Sequence, residues 1–316
     1  MPLRTAAALA AFLIISAAQA QSVIPLVGQP SVPSVEQPIV EPMVDPALTV
    51  EVLRLRQAFR TEVKQSLRAD PARDQKSVEL ARAALAESGT VIDRPQLVTV
   101  VDRNPRQQHL MVAVAMPDEP WRVIGTGSIS TGQTGRFDHY VTPTGVFHVT
   151  DAILGYRAEG TLNENGIRGL GAKGMRVWDF GWQVAKKGWI ESVGKPDSTP
   201  IRFMLHATDP DKLEQRLGHP ASQGCIRMPA TLNRFLDLHG VLDSEYERAA
   251  VTDIRFRALL LRDREPSLLA GNTLIVVDSG PRPPAPTALP VQAAVKAAPD
   301  SPRLGATTPI AAPGRS

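Results

Sequence analysis

The chain has 316 residues, 43% of them hydrophobic, with 35 Lys+Arg against 32 Asp+Glu and a formal net charge of +3. That is apolar material for one good-sized core with extensions; the small charge and the lack of a basic block exclude an obvious nucleic-acid partner. One cysteine, Cys225, excludes an intrachain disulfide.

The first segment, MPLRTAAALAAFLIISAAQA, carries Arg4, an apolar run from Thr5 to Ser16 and the small-x-small pattern Ala18-Gln19-Ala20. It predicts a signal peptide over residues 1–20 and a mature chain that starts at Gln21 in the periplasm or cell envelope; an uncleaved membrane anchor is the alternative. Prolines at 25, 30, 33, 38, 42 and 46 make residues 21–46 an extended linker. From Ala47 to Leu67 apolar residues recur at helical spacing, and Asp74 is expected to cap a second helix that Gly89 stops near Ser88. Residues 47–92 thus read as a small helical hairpin ahead of the main domain.

After Pro95 the pattern turns to strands: QLVTVVD, HLMVAVAM, WRVIGTGSIS and TPTGVFHVTDA, then TPIRFMLHA and finally NTLIVVDS. A short helix is expected from Pro210 to Leu217 and a longer one from Pro229 to Leu238. Glycine is frequent from 125 to 194 and no long helix is expected there; that region reads as mostly β with irregular loops. The fold class is therefore mainly β with a few helices, over residues 96–277. Residues 281–316, rich in Pro and Ala, are expected to be a disordered tail.

Cys225 lies in HPASQGCIRMP, residues 219–229. Its thiol is buried and inert, committed to an intermolecular bond, or chemically active. Activity requires the thiolate, scarce at neutral pH unless an imidazole accepts the proton. Of six histidines, His206 is the strongest candidate, because it ends a predicted strand whose tip opens on a cleft; a satisfied structural histidine is the plainer reading. Gly224 permits unusual dihedrals and close approach, and would leave its own N–H and that of Cys225 free to face an oxyanion. Ser222 suits a turn, by bonding locally to the backbone. Arg227 suits a substrate carboxylate, or an ordinary surface salt bridge. Zinc on His206, His219 and Cys225 lacks a fourth ligand and supporting spacing, so neither metal nor cofactor is expected.

LHAT at 205–208 followed by SQGCIRM at 222–228, with ISTGQ at 129–133 and TPTGVFHV at 142–149 ahead of them, resembles the L,D-transpeptidase (YkuD-type) catalytic domain over roughly residues 96 to 277. The resemblance implies a β-sandwich or barrel-like domain in which Cys225 is the nucleophile and His206 its base, oriented by the carbonyl near Ala207. Thr208 and Arg227 would lie with the substrate. That substrate would be peptidoglycan stem peptides, joined 3→3 through a thioester to a second stem. Transfer to an envelope protein or lipoprotein, or to water as a carboxypeptidase, uses the same acyl-enzyme, and a non-catalytic cell-wall binding module is the remaining alternative. Family members are acylated by carbapenems, and an exposed reduced thiol implies a periplasmic thiol reductant as partner. Two departures stand out. Gln223 stands where the family usually has His, at a position that helps shape the oxyanion site; a glutamine side chain can still donate a hydrogen bond there, so activity is expected to survive with acceptor choice and rate altered. The segment from Arg157 to Pro200, with three of the four tryptophans, reads as a lid or groove loop, or as a packed insertion.

Overall fold

The computed structural model describes residues 45–281; the expected signal peptide, nearly all of the proline-rich linker and nearly all of the C-terminal tail lie outside the described residues. Two helices come first, α1 (Pro46–Glu62) and α2 (Pro71–Ser88). Asp70, not Asp74, caps α2: its carboxylate accepts the N–H groups of Ala72 and Arg73, and Pro71 at the first helical position needs no partner for its nitrogen. Gly89 ends the helix in the left-handed region at φ 69°. α1 stops at Glu62, short of the expected Leu67, because Val63 is already extended.

Nine strands follow: β1 (Gln96–Asp102), β2 (His109–Ala115), β3 (Arg122–Ser128), β4 (Gly145–His148), β5 (Tyr156–Arg157), β6 (Arg176–Lys186), β7 (Ser198–Ala207), β8 (Ile226–Met228) and β9 (Thr273–Val277). Between β8 and β9 come α3 (Ala230–Leu238), α4 (Ser244–Ala249) and α5 (Ile254–Leu259). One sheet has the order β3-β2-β1-β9-β4 and the other β5-β6-β7-β8; β1–β9 and β7–β8 are the parallel pairs. The expected mainly β fold is what the chain adopts, as two mixed sheets with few helices.

Every residue of β1 and β2 is buried on both faces. That explains their unbroken apolar runs, since one face meets the second sheet and the other the helices. Phe147 of β4 spans the gap between sheets, its ring centroid 4.8 Å from Phe203 on β7 and 6.2 Å from Phe180 on β6. On the helix side, Phe59 of α1 meets Phe235 of α3 edge-on at 5.0 Å. Leu48, Val52, Leu55 and Phe59 belong to the same core as the strands, so the hairpin is a layer of the domain rather than a separate one.

Two expectations about local structure need correction. Pro210–Leu217 holds only a 3₁₀ turn, Glu214–Arg216, because the Asp209 carboxylate binds the N–H groups of Asp211 and Lys212 and fixes a turn instead. The segment from Arg157 to Pro200, expected as a lid or groove loop or a packed insertion, contains β6, the longest strand, paired along β7. Gly181, at φ 75°, takes up a register shift between Asp179 and Trp182, so glycine here marks a bulge within a strand rather than its absence.

A Cβ on Gly125 of β3 would lie 2.2 Å from Cδ1 of Phe59. Gly125→Ala is therefore expected to cost about 1–3 kcal/mol by overpacking and Phe59→Ala about 3–5 kcal/mol by cavity formation. Urea unfolding of the double variant should show the two costs to be non-additive; strict additivity would mean that the pair does not touch in solution.

Candidate active site

Side chains alternate along a strand, and residues paired across a sheet share a face. In the β7–β8 pair, Leu205 lies opposite Ile226 and His206 opposite Arg227. The core-facing set is therefore Phe203, Leu205 and Ala207 with Ile226 and Met228, all buried. The other face carries Arg202, Met204 and His206 with Arg227 and, one step before β8, Cys225. The β6 pairings Asp179↔Met204 and Val177↔His206, and the β5 pairing Tyr156↔Val177, add Asp179 and Tyr156 to that same face. His206 and Cys225 are thus diagonal neighbours on one surface.

His206 is 2% exposed. Its Nδ1 lies 2.8 Å from the Ala207 carbonyl oxygen, which can only accept, so Nδ1 carries the proton and Nε2 is left as the basic nitrogen. Burial lowers its pKa to about 4; the Ala207 carbonyl works against the shift and the Arg227 charge adds to it. The imidazole is neutral at physiological pH.

The Cys225 thiol is half-buried. Burial pushes its pKa up, while the Met204 backbone and the Arg227 charge pull it down and Asp179 pushes it up. Its Sγ donates to the Arg202 carbonyl at 3.6 Å, a long and weak bond, and makes no hydrogen bond to His206. Thiol and imidazole share a face, with the thiol turned along β7 away from the ring.

The loop before Cys225 is held from both sides. Gly224 sits at φ 123°, and a Cβ there would lie 2.7 Å from Ile201 Cδ1, so only glycine fits. Its N–H is not free, as the sequence had suggested: it donates to Ser222 Oγ at 3.1 Å, while the Ser222 hydroxyl donates to the Cys225 carbonyl at 2.5 Å. The fully buried Ser222 is a turn residue that consumes one of the two expected oxyanion donors. The Cys225 N–H has no hydrogen-bond partner among the described residues. The ISTGQ segment pairs with this loop: Ser130 exchanges both backbone bonds with Arg227, the N–H groups of Ala221 and Ser222 donate to the Thr131 carbonyl, and Gln133 N–H donates to the Ser222 carbonyl. Thr142, from the TPTG block, accepts from Gly132 N–H and donates to the Gly224 carbonyl at 2.7 Å.

Arg227 has no carboxylate within ion-pair distance among the described residues. Its Nη1 makes a 3.4 Å bond to the Ala221 carbonyl, and its buried Nε has no partner. The ordinary salt-bridge reading does not describe it; burial lowers its pKa, and the charge it keeps faces the thiol and the imidazole. Gln223 is exposed and its side chain makes no hydrogen bond. Thr208 is buried just past the end of β7, with its N–H on the Met228 carbonyl. His219 is exposed, and no cluster of metal-ligating side chains occurs among the described residues.

Sequence reasoning missed the rest of the face. Asp179 binds Arg202 through Oδ2 (2.8 and 2.9 Å), the Arg202 guanidinium lies 6.0 Å from the Trp182 ring, and the Tyr156 hydroxyl reaches Met204 Sδ at 3.2 Å. Alternation along RVWDFGWQVA was the available signal for Asp179. Thr142 lay inside a quoted block, but nothing in a lone threonine shows which backbone oxygen its hydroxyl will find.

Residues 98–241 match the family model of the L,D-transpeptidase catalytic domain (YkuD). No curated protein matches the chain. A crystal structure of a fused Zn-dependent amidase/peptidase/peptidoglycan-binding domain-containing protein from Clostridium acetobutylicum aligns at 15% identity and a TM-score of 0.24, over 68% of this chain and 66% of that one, just under two thirds of its length. A likeness that loose carries no argument about fold or chemistry.

Two measurements test these electrostatics. Iodoacetamide should alkylate Cys225 slowly at pH 7 and faster as pH rises, and Arg227→Gln should slow it further at every pH below full ionisation; faster alkylation in that variant would show that the guanidinium does not favour the thiolate. His206 binds its proton more weakly folded than unfolded. Its contribution is therefore complete above pH 6.5 and is lost as pH falls toward about 4, by about 3 kcal/mol. His206→Gln should remove that part of the acid destabilisation, read as the difference between the two unfolding curves over this window.

Proposed function

We propose, from the premise that residues 98–241 are an L,D-transpeptidase catalytic domain, that this chain is an exported enzyme that cross-links peptidoglycan stem peptides through a thioester on Cys225. The family acts on such stems; the proposal adds the cysteine's role, the 3→3 product and the periplasmic location. The observation that carries it is the shared face: a thiol, an Nε2-basic imidazole and an unpaired guanidinium on neighbouring positions of β7 and β8.

The chemistry then runs as follows. Sγ leaves its weak bond to the Arg202 carbonyl by rotation about χ1 and turns to His206. Nε2 takes the thiol proton as sulfur attacks the carbonyl of the third stem residue. The Cys225 N–H faces the oxyanion and Arg227 supplies positive charge beside it. Collapse breaks the amide bond, and the imidazolium returns its proton to the departing amine of the terminal D-alanine. A side-chain amine of a second stem, its proton taken by Nε2, then attacks the thioester and restores the thiol. The resting pair is neutral thiol and neutral imidazole, so deprotonation accompanies attack instead of preceding it.

The experiment is muropeptide analysis after incubation of purified protein with tetrapeptide-bearing peptidoglycan. Dimers linked 3→3 are the expected product; shortened stems without dimers would identify a hydrolase and sink the transfer step. Cys225→Ala should lower turnover by at least about a thousandfold and abolish the covalent adduct that meropenem forms, seen by mass spectrometry. kcat/KM should stay level from about pH 5 to 8, because His206 loses its basic form only near pH 4. An acid limb near 6.5 would mean that the ring is solvated in solution. Fractionation should place the mature chain, starting at Gln21, in the periplasm.

A further inference from the structure

An exposed aromatic cluster flanks the Cys225 loop. Phe137 and Tyr140 both lean on Trp189, with ring centroids 5.1 and 5.4 Å from it. Phe137 is 77% exposed and Ile190, next to Trp189, is 99% exposed, whereas Trp189 and Tyr140 are half-buried. Apolar surface gathered in this way is costly to leave in water and marks a contact site more often than an isolated exposed residue does.

The cluster is built rather than accidental. Two loops, 133–141 and 186–190, are zipped together by backbone bonds: Gly188 N–H to the His139 carbonyl (2.7 Å), Gly135 N–H to the Gly188 carbonyl (2.5 Å) and Val141 N–H to the Lys186 carbonyl (2.8 Å). A Cβ on Gly188 would come within 2.5 Å of the Gln133 carbonyl oxygen, so the approach depends on glycine. Asp138 takes a left-handed φ of 58° and accepts the Tyr140 hydroxyl at 2.9 Å. Polar groups rim the rings: Asp138, Lys187 bound to Glu191 at 2.6 Å, and Arg136. Rings at the centre with hydroxyl-bonding groups at the edge suit a sugar, whose C–H face packs on an aromatic ring while its rim hydrogen-bonds.

The cluster also adjoins the nucleophile's loop. Tyr140 abuts Gly224, the residue before Cys225: a Cβ there would lie 3.3 Å from the Tyr140 Cβ. A stem peptide is attached to its glycan, and three residues span at most about 10 Å. The sugar that bears the stem is therefore held near the thiol, in a range that includes the loop carrying Tyr140.

We propose that Phe137, Trp189 and Tyr140 form a platform for the glycan strand that carries the stem peptide acted on at Cys225. This rests on the reading that the chain acts on stem peptides, and it adds that the substrate is taken as glycan-linked peptide rather than as free peptide. Binding is tested by titrating the full chain with glycan strands freed of their stems by an amidase. Turnover is tested by comparing KM for a glycan-linked tetrapeptide and for the free tetrapeptide.

Phe137→Ala and Trp189→Ala should each weaken strand binding about tenfold and raise KM for the linked substrate by a similar factor, with free-tetrapeptide kinetics unchanged. Trp189→Phe, which keeps a ring, should retain most of both. Equal effects on linked and free substrates, or no strand binding by the unaltered chain, would overturn the proposal. So would a concentration-dependent doubling of mass in sedimentation that Phe137→Ala abolishes, since the patch would then serve a second copy. If neither substrate turns over while strand binding still depends on the rings, the platform stands and the transfer reaction falls.

Discussion

The parallel pairing of β7 with β8 sets His206 opposite Arg227 and puts Cys225 one step earlier on the same surface. Because side chains alternate, a slip of one residue would turn the cysteine and arginine into the core and bring Ile226 and Met228 out. The slip is prevented from outside the pair. Ser130 binds Arg227 through both backbone groups, Thr142 fixes the Gly224 carbonyl, and Ile226 and Met228 are fully buried among Phe203, Leu205 and their neighbours. Core packing and loop hydrogen bonds therefore specify one register together, and the reactive groups follow from it.

Burial then sets the electrostatics. The environment that makes the imidazole a poor cation makes the thiol a poor anion, so the two are tuned apart rather than into an ion pair. Beside them lies a guanidinium with no carboxylate in ion-pair distance among the described residues. Arg202, a short distance along β7, shows the contrast: it is neutralised by Asp179 and covered by Trp182, and leaves no free charge. Two arginines on one face thus have opposite electrostatic characters, decided by whether a carboxylate lies opposite.

Much of this was legible in the sequence, and the limits have physical causes. The strands ending at Asp102 and Ala207 were readable because apolar, β-branched runs persist whatever surrounds them. The lone cysteine after glycine, the histidine at a strand end and the STG and TPTG blocks pointed to one site. β6 was missed because Gly181 and the surrounding polar loops imitate irregular chain, and only pairing with β7 shows that the glycine is a bulge. Asp70 was passed over for Asp74 because choosing between nearby carboxylates depends on which can reach the first N–H groups. The fate of the Gly224 N–H could not be read at all, since it turns on the rotamer of a hydroxyl two residues away.

β9 deserves a last consideration because of its place in the sheet. It lies between β1 and β4, with Thr273 against Val98. The slot beside the central strand β1 is therefore filled by the last strand of the domain to leave the ribosome, and until it arrives β1 and β4 both have an open edge. Contacts that distant in sequence close late and at high entropic cost. A chain of this topology cannot complete its five-stranded sheet until residues 273–277 are available, so the order of its strands itself holds closure of that sheet to the end of synthesis.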